Sequence, residues 1–434
     1  MIQAIIFTVI LAAGIYFFAR NVGRIRRNIL LGKPLDRNDQ PAKRWKTMLR
    51  VAFGQSKMTV RPIPAFFHFI IYAGFLIINI EILEIMIDGV AGTHRVFSFL
   101  GSLYDFLIAG FEVLALLTIV ACVVFLARRN ILKLKRFWSR EMTSWPRSDA
   151  NIILFTEIVL MTLFLTMNAS DQLLQLRGAE HYKVAGAFPI SSLITPLLEG
   201  MSTDGLIGLE RFCWWGHIIG IIAFLNYLPY SKHFHIIMAF PNTYYSNLKP
   251  KGEFTNLESV TQEVKLMLDP SLPPPPPSDT PMRFGAKDVQ DLTWKQLMDS
   301  YTCTECGRCT SVCPANITGK LLSPRKIMMD TRDRLAEVGS NIDKNGTFKD
   351  DGKTLLNDYI KPEELWACTT CNACTEACPV NIDPLSIIID MRRFLVMEQS
   401  EAPAEWNGMF SKIENNQAPW QFSPADRFNW KNEE

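Results

Sequence analysis

Cys303, Cys306, Cys309 and Cys313 are followed at once by Pro314, and the same C-x-x-C-x-x-C-x-x-x-C-P order returns 65 residues later as Cys368, Cys371, Cys374, Cys378 and Pro379. Three thiolates at intervals of three wrap a loop round one face of a cubane cluster, and the fourth, carried off by the following turn, ligates the neighbouring cluster. The expected ligand sets are therefore crossed. Cys303, Cys306, Cys309 and Cys378 hold one [4Fe-4S] cluster, and Cys368, Cys371, Cys374 and Cys313 hold the second. Structural zinc needs only four sulfurs about a tetrahedron and leaves the Cys-Pro ending and its repetition without a reason. Eight of the ten cysteines fall in these motifs, a distribution that points to metal ligation in a reducing compartment and away from a secreted disulfide framework. Cys122 and Cys213 read as small apolar packing residues.

The chain has six histidines. His68 and His235 fall near one end of two apolar stretches, at similar depth. Neutral imidazoles on neighbouring helices at one depth can grip a flat haem iron axially from both sides, with the membrane keeping the site dry. The competing reading is a pair of helix-end histidines bonded to backbone or lipid headgroups. His217 precedes His235 by 18 residues, five helical turns or about 27 Å of rise, so the two share a face near opposite sides of the membrane. His233 lies on another face, and His94 and His181 fall in loops. Glu81, Glu84, Glu112, Glu157 and Glu210 are carboxylates within apolar segments, where burial is costly. Glu210 stands seven residues before His217, on the same stripe. A quinone takes up or releases protons with its electrons, so an imidazole and a carboxylate on one face suit a quinone site. An interfacial carboxylate, or one paired with Arg211, is the alternative.

These residues need elements to hold them. With 434 residues, 48% hydrophobic and 20% charged, the chain is long enough for two or three domains and too apolar for disorder. A net charge of +2 gives no argument for nucleic-acid binding. Five stretches are long and apolar enough to cross a bilayer: Ile2 to Phe18, Ile63 to Ile87, Tyr104 to Ala127, Ala150 to Met167 and Leu206 to Pro229. No basic residue precedes the first, and arginines follow it, so it reads as a retained anchor and not a signal peptide. Twelve Lys/Arg lie between Arg20 and Arg61 and seven between Arg128 and Arg147, against one in the second loop and two in the fourth. The N-terminus is thus expected outside and everything after the fifth helix in the cytoplasm, the basic runs serving topology ahead of lipid recognition. The organisation read from this is all-α: a five-helix transmembrane bundle over 1–240, a proline-rich linker over 241–285 with a stiff spacer at Pro273 to Pro277, an α-helical ferredoxin domain over 286–400, and a tail over 401–434. A helix is expected from Asp291 to Trp294 onward, with two more at Pro324 to Leu335 and Leu355 to Trp366.

The run from His217 to Leu-Pro-Tyr-Ser-Lys-His-Phe-His235 resembles the fifth helix of the cytochrome b (gamma) subunit of respiratory nitrate reductase. That resemblance implies two stacked haems with two histidines ten residues apart on the second helix. His68 matches the first of these, but the second position is Ile78, so one b-type haem is expected, held by His68 and His235. His217 is then a quinone hydrogen-bond partner, a ligand with an unrecognised mate, or a packed polar residue. The resemblance places quinone on the outer side, by His217 and Glu210; the rival is an inner site by His68. The phrases Asp291-Leu-Thr-Trp-Lys, Cys303-Thr-Glu-Cys-Gly-Arg-Cys and Trp366-Ala-Cys-Thr-Thr-Cys resemble the iron–sulfur domain of heterodisulfide-reductase-like oxidoreductases and of membrane oxidoreductases linking electron-transfer flavoprotein to quinone. In those relatives a CCG-type domain often meets the soluble substrate. No cysteine follows Cys378 here, so the resemblance implies a separate cytoplasmic subunit of CCG or flavoprotein type. The expected function is electron transfer between that partner and the quinone pool of a bacterial-type inner membrane. A membrane-tethered iron–sulfur sensor or assembly anchor is the rival, and it needs no haem.

Overall fold

The computed structural model describes residues 1–250, 252–273 and 283–432; most of the proline spacer, residues 274–277, lies outside the described residues. The chain is almost wholly helical. Among the described residues β structure is confined to two isolated bridges, Lys33 with Thr293 and Leu356 with Ile360.

Five long apolar helices carry the N-terminal half: α1 Ile2–Ile29, α2 Pro62–Ala91, α3 Ser102–Leu126, α4 Ser144–Leu176 and α5 Thr203–Tyr227. A helix satisfies its own backbone hydrogen bonds, which hydrocarbon demands. It also continues through arginine without penalty, so α1 runs on past Arg20, Arg24, Arg26 and Arg27. α4 packs between α3 and α5, α2 lies against α3, and α1 crosses α2 and α5. Phe111, Ala115, Leu160, Phe164, Trp214 and Ile218 fill the core, while Ile5, Phe66, Phe106, Phe155 and Phe212 point outward, where lipid would meet them.

The fifth helix does not reach His235. It ends at Tyr227, gives way to two 3-10 turns, Leu228–Tyr230 and Lys232–Phe234, and a separate helix α6 starts at His235 and runs to Tyr244. Pro229 has no N–H to continue the helix, and the Ser231 hydroxyl caps the second turn by accepting the His233 N–H at 3.0 Å. The five-turn register between His217 and His235 is therefore broken, and their shared face does not follow from spacing.

In the C-terminal domain, α7 Trp294–Thr302 starts at a capping box formed by Thr293 and Gln296. α8 Pro324–Asn345 is longer than the expected Leu335 limit, and α9 Pro384–Met397 packs on it and on α7. Leu297, Ile327, Leu335, Leu365, Leu385 and Met391 form the core between them. The helix expected over Leu355 to Trp366 forms only at Pro362–Trp366. Before it, Leu356 is extended and Asn357 takes φ 77°, which breaks the helix. A last helix, α10 Ala404–Asn416, follows in the tail.

The two halves are packed together at the end of the bundle where both basic loops lie. The Lys33 carbonyl accepts the Trp294 N–H at 3.1 Å and the Lys33 N–H donates to Leu292 at 2.7 Å. This approach requires glycine at 32, where a Cβ would stand 2.5 Å from the Trp294 nitrogen. Arg27 pairs with Asp343, and the Asn28 amide donates to the Tyr301 hydroxyl at 3.0 Å. Fully buried Arg325 reaches from α8 to the carbonyl of Arg136 at 2.6 Å, and to the Glu141 carboxylate at 2.6 Å. The packed structure also runs past residue 240. Asn242, Thr243 and Ser246 are buried, and the Asn242 amide donates to the Val380 carbonyl at 3.0 Å.

Candidate functional site

The two cysteine loops repeat in backbone as well as in sequence. Glu305 and Gly307 flank Cys306 with φ of 53° and 70°, and Thr370 and Asn372 flank Cys371 with φ of 54° and 59°. Each loop turns about its middle cysteine through two left-handed residues and then enters a short helix, Arg308–Ser311 or Ala373–Ala377. Glycine is required at 307, where a Cβ would lie 2.6 Å from Arg325 Nη1. The matching position in the second loop is Asn372, a residue that tolerates this conformation. Cys313 and Cys378 are extended, as the residue before proline must be.

Cys378 has Cys306 and Cys303 among its charged neighbours, and Cys309 has Cys306, Cys303, Cys378 and also Cys374 of the second loop. Cys368 interacts with Cys313 and Cys371. The fold thus places the two cysteine loops side by side, with Cys378 near Cys306 and Cys303 and Cys313 near Cys368. Burial pushes the Cys303, Cys374 and Cys378 thiols up to about 12, so a bound cation would be needed to hold them as thiolates. Backbone amides contribute too. The Thr370 N–H points at Cys368 Sγ over 3.4 Å and the Ile382 N–H at Cys378 Sγ over 3.3 Å, contacts of the kind that tune cluster potential. Cys371 is exposed, whereas Cys303, Cys313, Cys374 and Cys378 are buried.

A cavity of about 440 Å³ runs from Gly74, Ile78, Thr118 and Leu160 inside the bundle to Cys306 and Val380 at the first cluster loop. His68 and His235 both line it. The His235 Nδ1 faces the Lys232 carbonyl at 3.0 Å, so Nδ1–H donates there and Nε2 is left for the cavity, the tautomer-fixing arrangement of metal-binding histidines. His233, which helical spacing assigned to another face, lines the same wall with its ring 5.6 Å from that of His235. Burial lowers both imidazoles, His233 to about 3, so both are neutral at neutral pH. Arg129, Arg136 and Arg308 stand at the ferredoxin end of the same cavity, Arg129 with a buried Nε that has no partner among the described residues. Apolar walls, neutral imidazoles and a rim of guanidiniums fit a flat macrocycle with acidic edge groups.

Towards the other end of the bundle the buried carboxylates are mostly engaged. Glu84 accepts the Tyr104 hydroxyl at 2.9 Å and the Phe97 N–H at 2.8 Å. Glu112 accepts the N–H groups of Ile190 and Ser191 at 2.8 and 3.1 Å. Glu210 is paired with Arg211 and accepts the Tyr182 hydroxyl at 3.0 Å. His217 is fully buried. Its Nδ1 lies 2.9 Å from the Leu160 carbonyl and its Nε2 has no hydrogen-bond partner among the described residues. Neither His217 nor Glu210 lines the large cavity, whereas Glu157 does.

Residues 302–382, which enclose all eight clustered cysteines, match the sequence model of the 4Fe-4S dicluster domain. The chain is 27% identical to the probable iron-sulfur-binding oxidoreductase FadF of Bacillus subtilis, across 99% of its own length and 61% of the relative's. It is 26% identical to the EtfAB:quinone oxidoreductase of Syntrophomonas wolfei, across 92% of this chain and 55% of that one. It is 34% identical to a probable membrane-anchored ferredoxin of Chromohalobacter salexigens over 35% of this chain and 24% of that protein. The chain therefore spans a little over half the length of the first two. No solved structure matches it. Its homologues are iron–sulfur oxidoreductases with a 4Fe-4S dicluster domain.

Proposed function

We propose that this chain is the membrane electron-transfer subunit of a quinone-linked oxidoreductase, carrying electrons between a soluble partner, two [4Fe-4S] clusters, one b-type haem and membrane quinone. The observation that carries this reading is that a single cavity has His68 and His235 on its walls and the Cys306 loop at its end. The haem supplies a one-electron couple inside the membrane. His68 and His235 would hold it, and Arg129, Arg136 and Arg308 would meet its acidic edge. Cys303, Cys306, Cys309 and Cys378 hold the cluster facing the cavity. Cys368, Cys371, Cys374 and Cys313 hold the other, where exposed Cys371 faces an incoming partner.

The soluble partner is a separate subunit of CCG or flavoprotein type, since two one-electron clusters do not by themselves perform two-electron substrate chemistry. By analogy with the relatives electrons flow toward quinone, two electrons and two protons yielding one quinol. The domain docks where the basic loops lie, which supports a cytoplasmic ferredoxin domain and an outside N-terminus. Quinone is assigned to the outer half, at the unpartnered Nε2 of His217, with Glu210 held nearby on the same helix. Anaerobic purification followed by reduced-minus-oxidised optical spectra and EPR tests the reading. A b-type haem with two cluster signals supports it, and iron–sulfur signals without haem favour the sensor or anchor.

A further inference from the structure

Glu305 lies inside the first cysteine loop, between Cys303 and Cys306, and is only 3% exposed. Its carboxylate is held from two directions. Lys232 Nζ reaches Oε2 at 2.5 Å and Arg332 Nη1 reaches Oε1 at 2.8 Å. Lys232 comes from the membrane half and Arg332 from α8, so the carboxylate ties the cluster loop to both. The carbonyl of that same Lys232 accepts the Nδ1–H of His235 at 3.0 Å. One residue therefore joins the backbone about Cys306 to the hydrogen bond that orients His235. Thr304, Glu305, Cys306, Lys232 and His235 all border the same cavity.

The geometry points to Glu305 as a positioning residue that sets the reduction potentials of the first cluster and of the haem at His235 together. This rests on the reading of the cavity as a haem site. The physical reason is charge in a dry interior. A buried carboxylate acts on both centres through a low effective dielectric, and cluster potential follows local net charge and hydrogen bonding. Taking that charge away leaves, among the described carboxylates, Lys232 with only Asp149 at 3.8 Å and Arg332 with only Asp333 at 3.2 Å, so the site becomes more positive by one charge, which favours the electron-rich state of each centre. Taking away Arg332 does the reverse. A residue that merely glued the loop in place would change stability or cofactor content without moving the two potentials in opposite directions for opposite charge changes.

The test uses the full chain, purified without oxygen, in two variants, Glu305→Gln and Arg332→Gln. EPR-monitored titration gives the midpoint of the first cluster and optical titration gives that of the haem. Both midpoints are expected to rise in E305Q and to fall in R332Q. Unchanged midpoints with both centres fully occupied, or a shift confined to the cluster, overturn the proposal. If E305Q loses its first cluster, R332Q decides alone, a fall in both supporting the proposal and no change overturning it. A pyridine haemochrome assay on the unaltered chain separates the two layers. Absence of haem there removes the cavity reading and this inference with it, whereas haem present but unshifted in the variants removes this inference alone.

Discussion

Cys313 and Cys378 carry the sharpest consequence at the scale of single residues, because each has cysteines of the other loop among its neighbours and each is proposed to ligate the other loop's cluster. Cys313→Ser should abolish the cluster built on Cys368, Cys371 and Cys374 and spare the first; EPR with iron analysis reads this, and loss confined to the first cluster would contradict it. His68→Ala should give a chain that still enters the membrane and binds both clusters but holds no haem, as optical spectra would report. His233→Ala should keep its haem, because His235 Nδ1 is the one anchored by the Lys232 carbonyl; a haemless His233→Ala would transfer the ligand role to His233. The cysteines were legible in sequence because their chemistry lies in local spacing. His233 was not, because its place on the cavity wall depends on where a helix stops.

At the scale of elements that stop is Pro229, which ends α5 at Tyr227 and frees the His233 to His235 segment to turn into the cavity. Apolar length revealed all five membrane helices, but it could not show that their basic ends would seat another domain. Arg27, Lys57, Arg61 and Arg136 read as topology signals, and all four meet the C-terminal domain through side chain or carbonyl. The reason is that hydrogen bonds and ion pairs between distant segments leave no periodic trace. Arg325 is fully buried at this junction, its guanidinium bonded to Glu141, Ser139 and the Arg136 carbonyl. Arg325→Leu leaves Glu141 buried without its cation and should weaken the docked state by about 3–5 kcal/mol. Thermal unfolding of the cluster-loaded protein should show a clear fall in Tm, with earlier proteolysis in the loop between α3 and α4. A melting curve and cleavage pattern like those of the unaltered chain would show that the domain docks by other means.

For the whole molecule the order of parts is a line: exposed Cys371 in the second cysteine loop, the Cys306 loop of the first against the membrane half, the cavity with His68 and His235, and the buried His217 deeper along the bundle. His217 does not border the cavity itself, but its Nδ1 faces the carbonyl of Leu160, which does, so a quinone there is one residue beyond the cavity wall. His217→Ala should therefore lower the rate of quinone reduction severalfold while leaving the haem spectrum intact. An unaltered rate would move the quinone to the cavity's own inner mouth near His68. The order of the parts was readable in sequence, while the cavity that joins them came only from packing the Cys306 loop against α2, α3 and α6. The most direct measurement of the whole account is a reduced-minus-oxidised spectrum of the anaerobically purified full-length chain, taken with a pyridine haemochrome assay and iron count on the same sample. The account predicts one b-type haem for every two [4Fe-4S] clusters, reduced through the clusters and reoxidised by added quinone. Two intact clusters with no haem in the same preparation would contradict it.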